Sequence, residues 1–272
     1  MTIALSGPLL LVGVGKMGSA MLAGWLDQGL DPANVSVQDP KPGNEIVTLA
    51  RKTGFSLDAE PDLEAAPAII VLAVKPQIVG DVLPSLKAHL GEDTVVLSIA
   101  AGCTLESMQA LLGEKVAIVR AMPNTPAAIG RGITVACSNA CVTSDQAERC
   151  ISLLSAVGQV AWVDDEDLLD PVTAVSGSGP AYVFLLTECL AEAGVAAGLE
   201  EALAKTLARA TVTGAGELMR QSELEPDELR QNVTSPGGTT AAALEILMGD
   251  EGLKDLMARA VQMATQRARE LS

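Results

Sequence analysis

The stretch that most constrains this fold lies near the N-terminus. Residues 9–14 (LLLVGV) form a short apolar run ending in glycines, the pattern of a strand buried on both faces of a parallel sheet. The run leads into Gly13-Val14-Gly15-Lys16-Met17-Gly18, a G-x-G-x-x-G turn. Met21, Leu22, Trp25 and Leu26 then repeat with helical spacing, and residues 35–38 read as a second strand. Asp39 closes that strand, 21 residues beyond Gly18. Strand, glycine turn, helix, strand and acid is the order that a dinucleotide-binding unit requires. The same glycines could serve a tight turn with no ligand; the flanking elements and the acid favour the nucleotide.

The alternation continues. Residues 68–74 (AIIVLAV) read as a buried strand that breaks at Lys75-Pro76. Residues 94–99 (TVVLSI) read as another, ending in Ala100-Ala101-Gly102, and residues 116–120 lead into Met122-Pro123-Asn124-Thr125-Pro126. In a doubly wound sheet such C-terminal strand edges line the ligand crevice. Residues 132–137 and 158–163 look like further strands around a helix at 144–157. After Asp164 the pattern turns helical, with helices expected over 166–175, 180–197, 200–221, 226–232 and from Thr240 onward. The acidic run Asp164-Asp165-Glu166-Asp167 reads as a solvated helix start. Ala208, Ala210, Gly214, Ala215 and Gly216 lie in one helix, where glycine costs propensity, so close helix–helix approach is expected as compensation. The expected class is α/β, with a dinucleotide-binding domain over residues 1–164 followed by an all-α domain over residues 165–272.

A second feature stands at residues 232–248 (NVTSPGGTTAAALEILM). Ser235, Pro236, Gly237, Gly238, Thr239 and Thr240 precede an apolar run with helical spacing at Leu244, Leu247 and Met248. Ser and Thr there read as helix N-cap residues, and the paired glycines let the backbone approach something closely. The first turn of a helix carries unpaired N–H groups and the positive end of the dipole, so the stretch can serve a carboxylate or phosphate.

Composition narrows the partners. A net charge of −16 argues against nucleic acid or an anionic membrane surface. Aromatics make up only 2% of the chain, so Ala, Leu, Val and Ile must build the core. The five cysteines (Cys103, Cys137, Cys141, Cys150 and Cys189) form no CxxC pair and fit reduced thiols. Cys137 and Cys141 stand in an alternating strand and turn, and the single histidine, His89, is most simply a helix C-terminal residue, so no metal site is expected. No basic region with a cleavage pattern opens the chain, and the longest charge-free apolar stretch, around residues 171–187, is broken by SGSGP, so a cytoplasmic protein without a membrane span is expected.

The whole chain resembles pyrroline-5-carboxylate reductase. The segments that carry the likeness are VGVGKMG, LAVKPQ, SIAAG, RAMPNTPA, VSGSGPAYVF and LRQNVTSPGGTTAAALEILM. The first is shared by many dehydrogenases; the last two, in this order, are specific to the family. The resemblance implies an N-terminal Rossmann domain, a C-terminal helical dimerisation domain, and a homodimer or a higher assembly of dimers. It implies NADPH- or NADH-dependent reduction of a cyclic imine, 1-pyrroline-5-carboxylate, to L-proline, the last step of proline biosynthesis.

Residue by residue, the resemblance puts the pyrophosphate on Gly13, Gly15 and Gly18, with the amides of Lys16 and Met17. It places Ala73, Val74, Lys75 and Pro76 under the nicotinamide ribose. Ala100, Ala101 and Gly102, then Pro123, Asn124 and Thr125, complete the nicotinamide pocket. The substrate carboxylate would sit on the amides of Ser235, Gly238 and Thr239, with Val233 walling the ring and Glu223 in support. The Thr240 hydroxyl would reach the imine nitrogen. Ser176 to Pro180 resembles the family's interdomain turn and reads as a helix N-cap near the cofactor crevice.

The chain departs from the family pattern at Asp39, where relatives often carry small, polar or basic residues. An acid there should pair with a ribose diol and repel a 2′-phosphate, which leans towards NADH, although Lys41 and Arg51 stand close in sequence. A second departure is Glu60-Pro61. Two other classes remain open at this point. One is a different imine or β-hydroxyacid reductase on the same plan, for which Lys205 is the nearest catalytic lysine but lacks the expected surroundings. The other is a nucleotide-sensing protein, which would have no need of a second anion loop.

Overall fold

Four-residue strands, mostly apolar and buried on both faces, make the centre of the computed structural model, which describes residues 3, 5 and 7–271. The elements in chain order are β1 (Leu9–Val12), α1 (Lys16–Asp27), β2 (Val35–Gln38), α2 (Asn44–Thr53), β3 (Ser56–Asp58), β4 (Ile69–Leu72) and α3 (Pro76–Leu86). They continue as β5 (Val95–Ser98), α4 (Leu105–Leu112), β6 (Ala117–Met122), β7 (Gly132–Ser138), α5 (Ser144–Ser155) and β8 (Gly158–Trp162). The local signals are familiar ones. Thr104 caps α4 by accepting the Ser107 N–H, Thr143 and Gln146 form a capping box on α5, and Gly54 ends α2 in the left-handed region.

The strands form one sheet in the order β3-β2-β1-β4-β5-β6-β7-β8. Neighbours from β3 through β6 are parallel, β7 runs antiparallel to β6, and β8 pairs parallel with β7. The chain order reverses between β1 and β4, and a ligand crevice opens at such a switch point. One face packs Leu9, Leu11, Ile69 and Val71 against Met21, Leu22 and Trp25 of α1 and Leu153 of α5. The other packs Leu10, Val12, Ile70 and Leu72 against Leu83 of α3 and Met108 of α4. Trp25 is fully buried and donates its indole N–H to the Leu153 carbonyl at 2.9 Å.

The chain divides into two compact units, residues 1–177 with 265–272, and residues 178–264. The first contains the sheet, with the Rossmann topology expected. It also contains β3, which no apolar pattern announced: Ser56 and Asp58 are exposed, and the strand exists because its backbone pairs with β2. The helix expected over 166–175 is broken instead. A 3₁₀ turn (Glu166–Leu168) leads into α6 (Leu169–Val172) and then a π-turn (Thr173–Gly177). Pro171 lacks an N–H, and the hydroxyls of Thr173 and Ser176 bond back to the carbonyls of Leu169 and Val172, which favours local bending over a regular helix. Ser178 stands at the N-cap position of α7, as expected, but with helical dihedrals and no side-chain capping bond.

The second unit holds α7 (Gly179–Ala196), α8 (Glu201–Gln221), α9 (Pro226–Asn232), α10 (Thr239–Leu247) and the start of α11 (Leu253–Leu271). The single helix expected from Thr240 onward is thus two. Gly249 and Gly252 make the break, and a Cβ on Gly252 would stand 2.4 Å from the Leu247 carbonyl oxygen. Helices α7 and α8 approach closely at Gly194, where a Cβ would lie 3.3 Å from that of Ala204. Gly214 and Gly216 do not share this role, since a Cβ on either would meet nothing within 4 Å.

Two cysteines lie deep in the first unit. Burial pushes the Cys150 thiol up to about 12. Burial, aided by the Glu166 carboxylate, pushes the Cys137 thiol up to about 11. A raised thiol pKa empties the thiolate at neutral pH, and the thiolate is the nucleophile. The native protein at pH 8 should therefore leave Cys137 and Cys150 unmodified by a disulfide reagent, with both reacting after unfolding in denaturant. Peptide mass spectrometry reads the outcome, and rapid native labelling of either thiol would contradict the burial described here.

Candidate active site

The glycine turn is built by contacts that only glycine permits. Gly13 has φ +91°, and a Cβ there would stand 2.8 Å from both the Ala73 carbonyl oxygen and Val74 Cγ1. A Cβ on Gly18 would lie 2.4 Å from the Gly13 carbonyl oxygen and 3.2 Å from Ala73 Cβ. These two glycines thus seat α1 against the end of β4 and bring the expected ribose loop, Ala73 to Pro76, beside the turn. Gly15 is different. Its φ of −65° suits any residue, and a Cβ would meet nothing within 4 Å. The protein itself does not require glycine there; a group lying over the turn would.

The amides around Gly15 fit an anionic group. Gly15 is the N-cap of α1 and offers no side-chain cap, so the N–H groups of the first turn, including Lys16 and Met17, point out of the helix end. The first intrahelical bond runs from Ser19 N–H to the Gly15 carbonyl at 2.9 Å. Gly15 and Lys16 are exposed. Bare amides, a positive dipole end and room for close approach together suit a pyrophosphate.

Asp39 is tied to this turn. Its Oδ2 accepts the Val14 N–H at 2.9 Å and its Oδ1 accepts the Lys41 N–H at 2.8 Å. The carboxylate is thereby fixed at the end of β2, and each oxygen keeps a lone pair for a further donor. Lys41 and Arg51 are both exposed.

The remaining expected cofactor residues gather along the same sheet edge. Ala73 donates its N–H to the Val12 carbonyl at 2.8 Å, and Lys75 is the N-cap of α3 with Pro76 at its first position. Beyond β5, the Ala100 N–H reaches Ser98 Oγ at 3.3 Å and Gly102 takes φ +74°. Beyond β6, Asn124 clamps its loop: Oδ1 accepts the Ile133 N–H at 3.0 Å, and Nδ2 donates to the Ser176 carbonyl at 3.2 Å. Pro123 is buried, and Thr125 is exposed at the start of a 3₁₀ turn.

One cluster at this edge was not anticipated. Arg120 of β6 is only 4% exposed, and its Nη1 lies 2.6 Å from Glu166 Oε1. The same oxygen accepts the Leu105 N–H at 2.9 Å. Glu166 is therefore not a solvated cap residue; the structure uses it to neutralise a buried guanidinium. An arginine inside the otherwise apolar run AIVRAM was the signal that an acid had to come from elsewhere.

The second candidate region lies in the other unit. Ser235 to Gly238 form a turn closed by the Gly238 N–H to the Ser235 carbonyl at 3.0 Å, with Pro236 at its second position and Gly237 at φ +69°. A Cβ on Gly238 would stand 2.6 Å from Ser235 Oγ. The N-cap of α10 is Gly238, with no side-chain cap, so the expected Ser or Thr cap is absent: without a side chain, glycine leaves the first-turn amides bare. The Gly238 amide is already used by the turn. Thr239 and Thr240 open the helix, with Thr239 exposed and Thr240 half-buried. Val233 is 64% exposed beside them. Glu223 is exposed in the turn between α8 and α9, and among the described residues no hydrogen bond or ion pair links it to this loop. No cluster of His, Cys, Asp and Glu among the described residues could hold a metal ion.

Residues 166–271 match the family described as pyrroline-5-carboxylate reductase dimerisation, and residues 9–102 match the NADP oxidoreductase, coenzyme F420-dependent family. The chain is 38% identical to the pyrroline-5-carboxylate reductase of Pseudomonas aeruginosa over 96% of its own length and 95% of the relative's. It is 40% identical to that of Synechocystis, over 96% of this chain and 97% of the relative. Among solved structures, a pyrroline-5-carboxylate reductase from Coxiella burnetii superposes with a TM-score of 0.92 at 36% identity, covering 98% of this chain and 99% of that one. A Plasmodium falciparum pyrroline carboxylate reductase with NADP bound gives a TM-score of 0.80 at 31% identity, with 98% of each chain covered.

The contrast between Gly13 and Gly15 is testable without any turnover. Gly15→Ala should keep the unfolding free energy within about 0.5 kcal/mol of wild type. Its affinity for a reduced nicotinamide cofactor, followed by fluorescence titration, should fall at least roughly tenfold, as expected where a side chain blocks close approach to the phosphates. Gly13→Ala should instead lose stability by roughly 1–3 kcal/mol, because the new Cβ meets backbone in a left-handed conformation. Unchanged cofactor affinity in Gly15→Ala would show that nothing lies over this glycine.

Proposed function

The chain belongs to the pyrroline-5-carboxylate reductase family, and we propose that its glycine turn holds NAD(P)H and its Ser235–Thr240 loop the imine acid. The protein is an NAD(P)H-dependent oxidoreductase that reduces 1-pyrroline-5-carboxylate to L-proline, the final step of proline biosynthesis. The observation that carries the site assignment is Gly15, a glycine the fold itself does not need, among bare helix-terminal amides. Residues 1–164 act as the nucleotide module and residues 165–272 as the dimerisation and substrate module. The match of residues 166–271 to the dimerisation family supports that division.

When bound, the reduced nicotinamide supplies hydride to the electrophilic carbon of the ring C=N bond. The chain supplies position and electrostatics. Gly13, Gly15 and Gly18, with the Lys16 and Met17 amides, hold the pyrophosphate. Ala73, Val74, Lys75 and Pro76 support the adjoining ribose, and the loops at Ala100–Gly102 and Pro123–Thr125 flank the nicotinamide. The substrate carboxylate rests on the amides of Ser235 and Thr239 at the α10 N-terminus, while the Gly238 amide closes the turn that shapes this seat. Val233 walls the ring, and Glu223 supports the loop from its flank. The Thr240 hydroxyl holds the ring nitrogen, which carries its proton on arrival, so hydride addition at the carbon leaves the neutral ring amine. A protonated imine needs no strong general acid, which suits a site assembled without histidine.

The protein works as a homodimer in the cytoplasm. In the second unit, Val183, Phe184, Leu186, Leu203 and Leu207 are exposed in the single chain and would be covered by a second copy. A native mass equal to one chain would exclude the dimer. No described helix is long and apolar enough to cross a membrane.

The direct experiment is a spectrophotometric assay in which the purified protein oxidises a reduced nicotinamide cofactor only when pyrroline-5-carboxylate is added. Thr240→Val, which keeps shape and removes the hydroxyl, should lower kcat/KM for the imine roughly tenfold to a thousandfold, the range for loss of one well-placed polar contact. Its cofactor affinity should be unchanged. Wild-type kcat/KM in that variant would reduce Thr240 to a first-turn helix residue.

NADH is the favoured cofactor. The Asp39 carboxylate is held in place by two backbone N–H groups and can still accept from a ribose hydroxyl, whereas a 2′-phosphate would meet its charge. NADPH is the second choice, favoured by the NADP bound in the Plasmodium relative and by Lys41 next to Asp39. Asp39→Ser keeps an acceptor for the Val14 N–H but removes the charge. The ratio of kcat/KM for NADH over NADPH should exceed one in wild type and fall roughly tenfold or more in the variant. A wild type that prefers NADPH would assign control to the neighbouring basic residues.

A further inference from the structure

We infer that Glu166 is a positioning residue for the nicotinamide end of the cofactor site, acting through Arg120 and the first amide of α4. The inference rests on the proposed placement of the nicotinamide between residues 100–102 and 123–125. Three segments far apart in sequence meet at one carboxylate oxygen: Glu166 Oε1 contacts Arg120 Nη1 at 2.6 Å and accepts the Leu105 N–H at 2.9 Å. The Arg120 side chain is 5% exposed and that of Glu166 is 25% exposed, so solvent competes little for the pair.

Stability does not account for this arrangement. A buried ion pair gains little over an apolar pair of the same volume, because both charges must first be stripped of water. What a charge-assisted contact supplies is a fixed distance and direction. Here it fixes the two loops said to flank the nicotinamide. The first loop leaves β5 at Ser98 and enters α4 at Leu105. Its early amide, Ala100 N–H, is held by Ser98 Oγ, and its far end is held by Glu166. The second loop leaves β6 just beyond Arg120, which stands in register between Ser98 of β5 and Cys137 of β7. Asn124 then anchors it to Ile133 and Ser176. Glu166 therefore holds one loop directly and the other through Arg120, and it sets the gap between them. Its bonds do not extend to the glycine turn, whose geometry depends on Gly13, Gly18 and Asp39.

The two halves of the cofactor should consequently respond differently. NADH and ADP-ribose share the adenosine and pyrophosphate, and only NADH carries the nicotinamide. Each would be titrated into wild type, Glu166→Gln, and the double variant Arg120→Met/Glu166→Met, with no imine present. The double variant removes both charges at near-constant volume, so it folds even if a single change leaves Arg120 unpaired. In the double variant the Kd for NADH should rise and kcat fall, each roughly tenfold to a hundredfold, the scale of a small misplacement of a reacting group. The Kd for ADP-ribose and the KM for the imine should stay within about twofold of wild type. Glu166→Gln should lie between. Equal loss for NADH and ADP-ribose, or no loss for either in the folded double variant, would overturn the role of Glu166 alone. Failure of wild type to bind NADH more tightly than ADP-ribose would overturn the nicotinamide placement and this inference with it.

Discussion

The contact between the glycine turn and the end of β4 is the constraint on which the rest depends. Gly13 sits where any Cβ would strike the Ala73 carbonyl, and Gly18 sits where any Cβ would strike the Gly13 carbonyl. Because both positions are bare, α1 starts directly at the sheet edge, at the point where the strand order reverses. Asp39 completes the arrangement by binding the Val14 N–H from the neighbouring strand end. One short segment thus fixes the direction of α1 and the width of the crevice. It also fixes an acid beside the position a ribose would take. Gly15 then stands apart as the glycine that the protein scaffold does not explain, and that separation turns a common fold motif into a statement about a ligand.

Much of this was legible in the sequence because it is local. The G-x-G-x-x-G spacing, the buried runs that became β1, β4 and β5, and Asp39 at the end of β2 all depend on residues within one βα or αβ step. The features that escaped are those that depend on partners distant in sequence. β3 is polar and exists only through its pairing with β2. The π-turn at Thr173–Gly177 arises from competing hydroxyls in a segment whose apolar spacing still reads as a regular helix. Glu166 looked like one of four acids at a helix start; its role depends on Arg120, 46 positions earlier. The break between α10 and α11 was more readable, since Gly249 and Gly252 bracket Asp250 and Glu251.

At the SPGGTT loop the helix end is left open by a different atom from the one expected. Ser and Thr read as caps of this helix, and the anion-binding character was expected from its unpaired first-turn N–H groups. In the structure no side chain caps α10; the N-cap is Gly238, and its own amide closes the turn back to Ser235. The helix end is open to a ligand because capping fails, as it also fails at Gly15 ahead of α1. Both candidate anion sites therefore share one design: a glycine at the N-cap, no competing side-chain oxygen, and a helix long enough to carry a dipole. A Ser or Asp at either N-cap would satisfy the helix internally and fill the place that the ligand's own oxygens would take.

The second unit shows the same logic at a larger scale. Among its described residues the buried ones are Ala191, Ala204 and Ala208, while Phe184, Leu186, Leu203 and Leu207 remain exposed. Three alanines bury too little apolar area to offset the entropy of ordering helices as long as α7 and α8. The glycines in α8 repeat the point, since Gly214 and Gly216 give up helix propensity yet no neighbouring chain segment uses the space they leave. A sequence that spends leucines on an exposed face and glycines on an open one is written for a surface beyond its own chain. Residues 166–271 match a dimerisation family, so that surface belongs to oligomer formation. The stability of the helical unit, and of the Ser235–Thr240 loop it carries, then becomes a property of the assembly. Changes in protein concentration should affect α7 and α8 before they affect the sheet, whose core is complete within one chain.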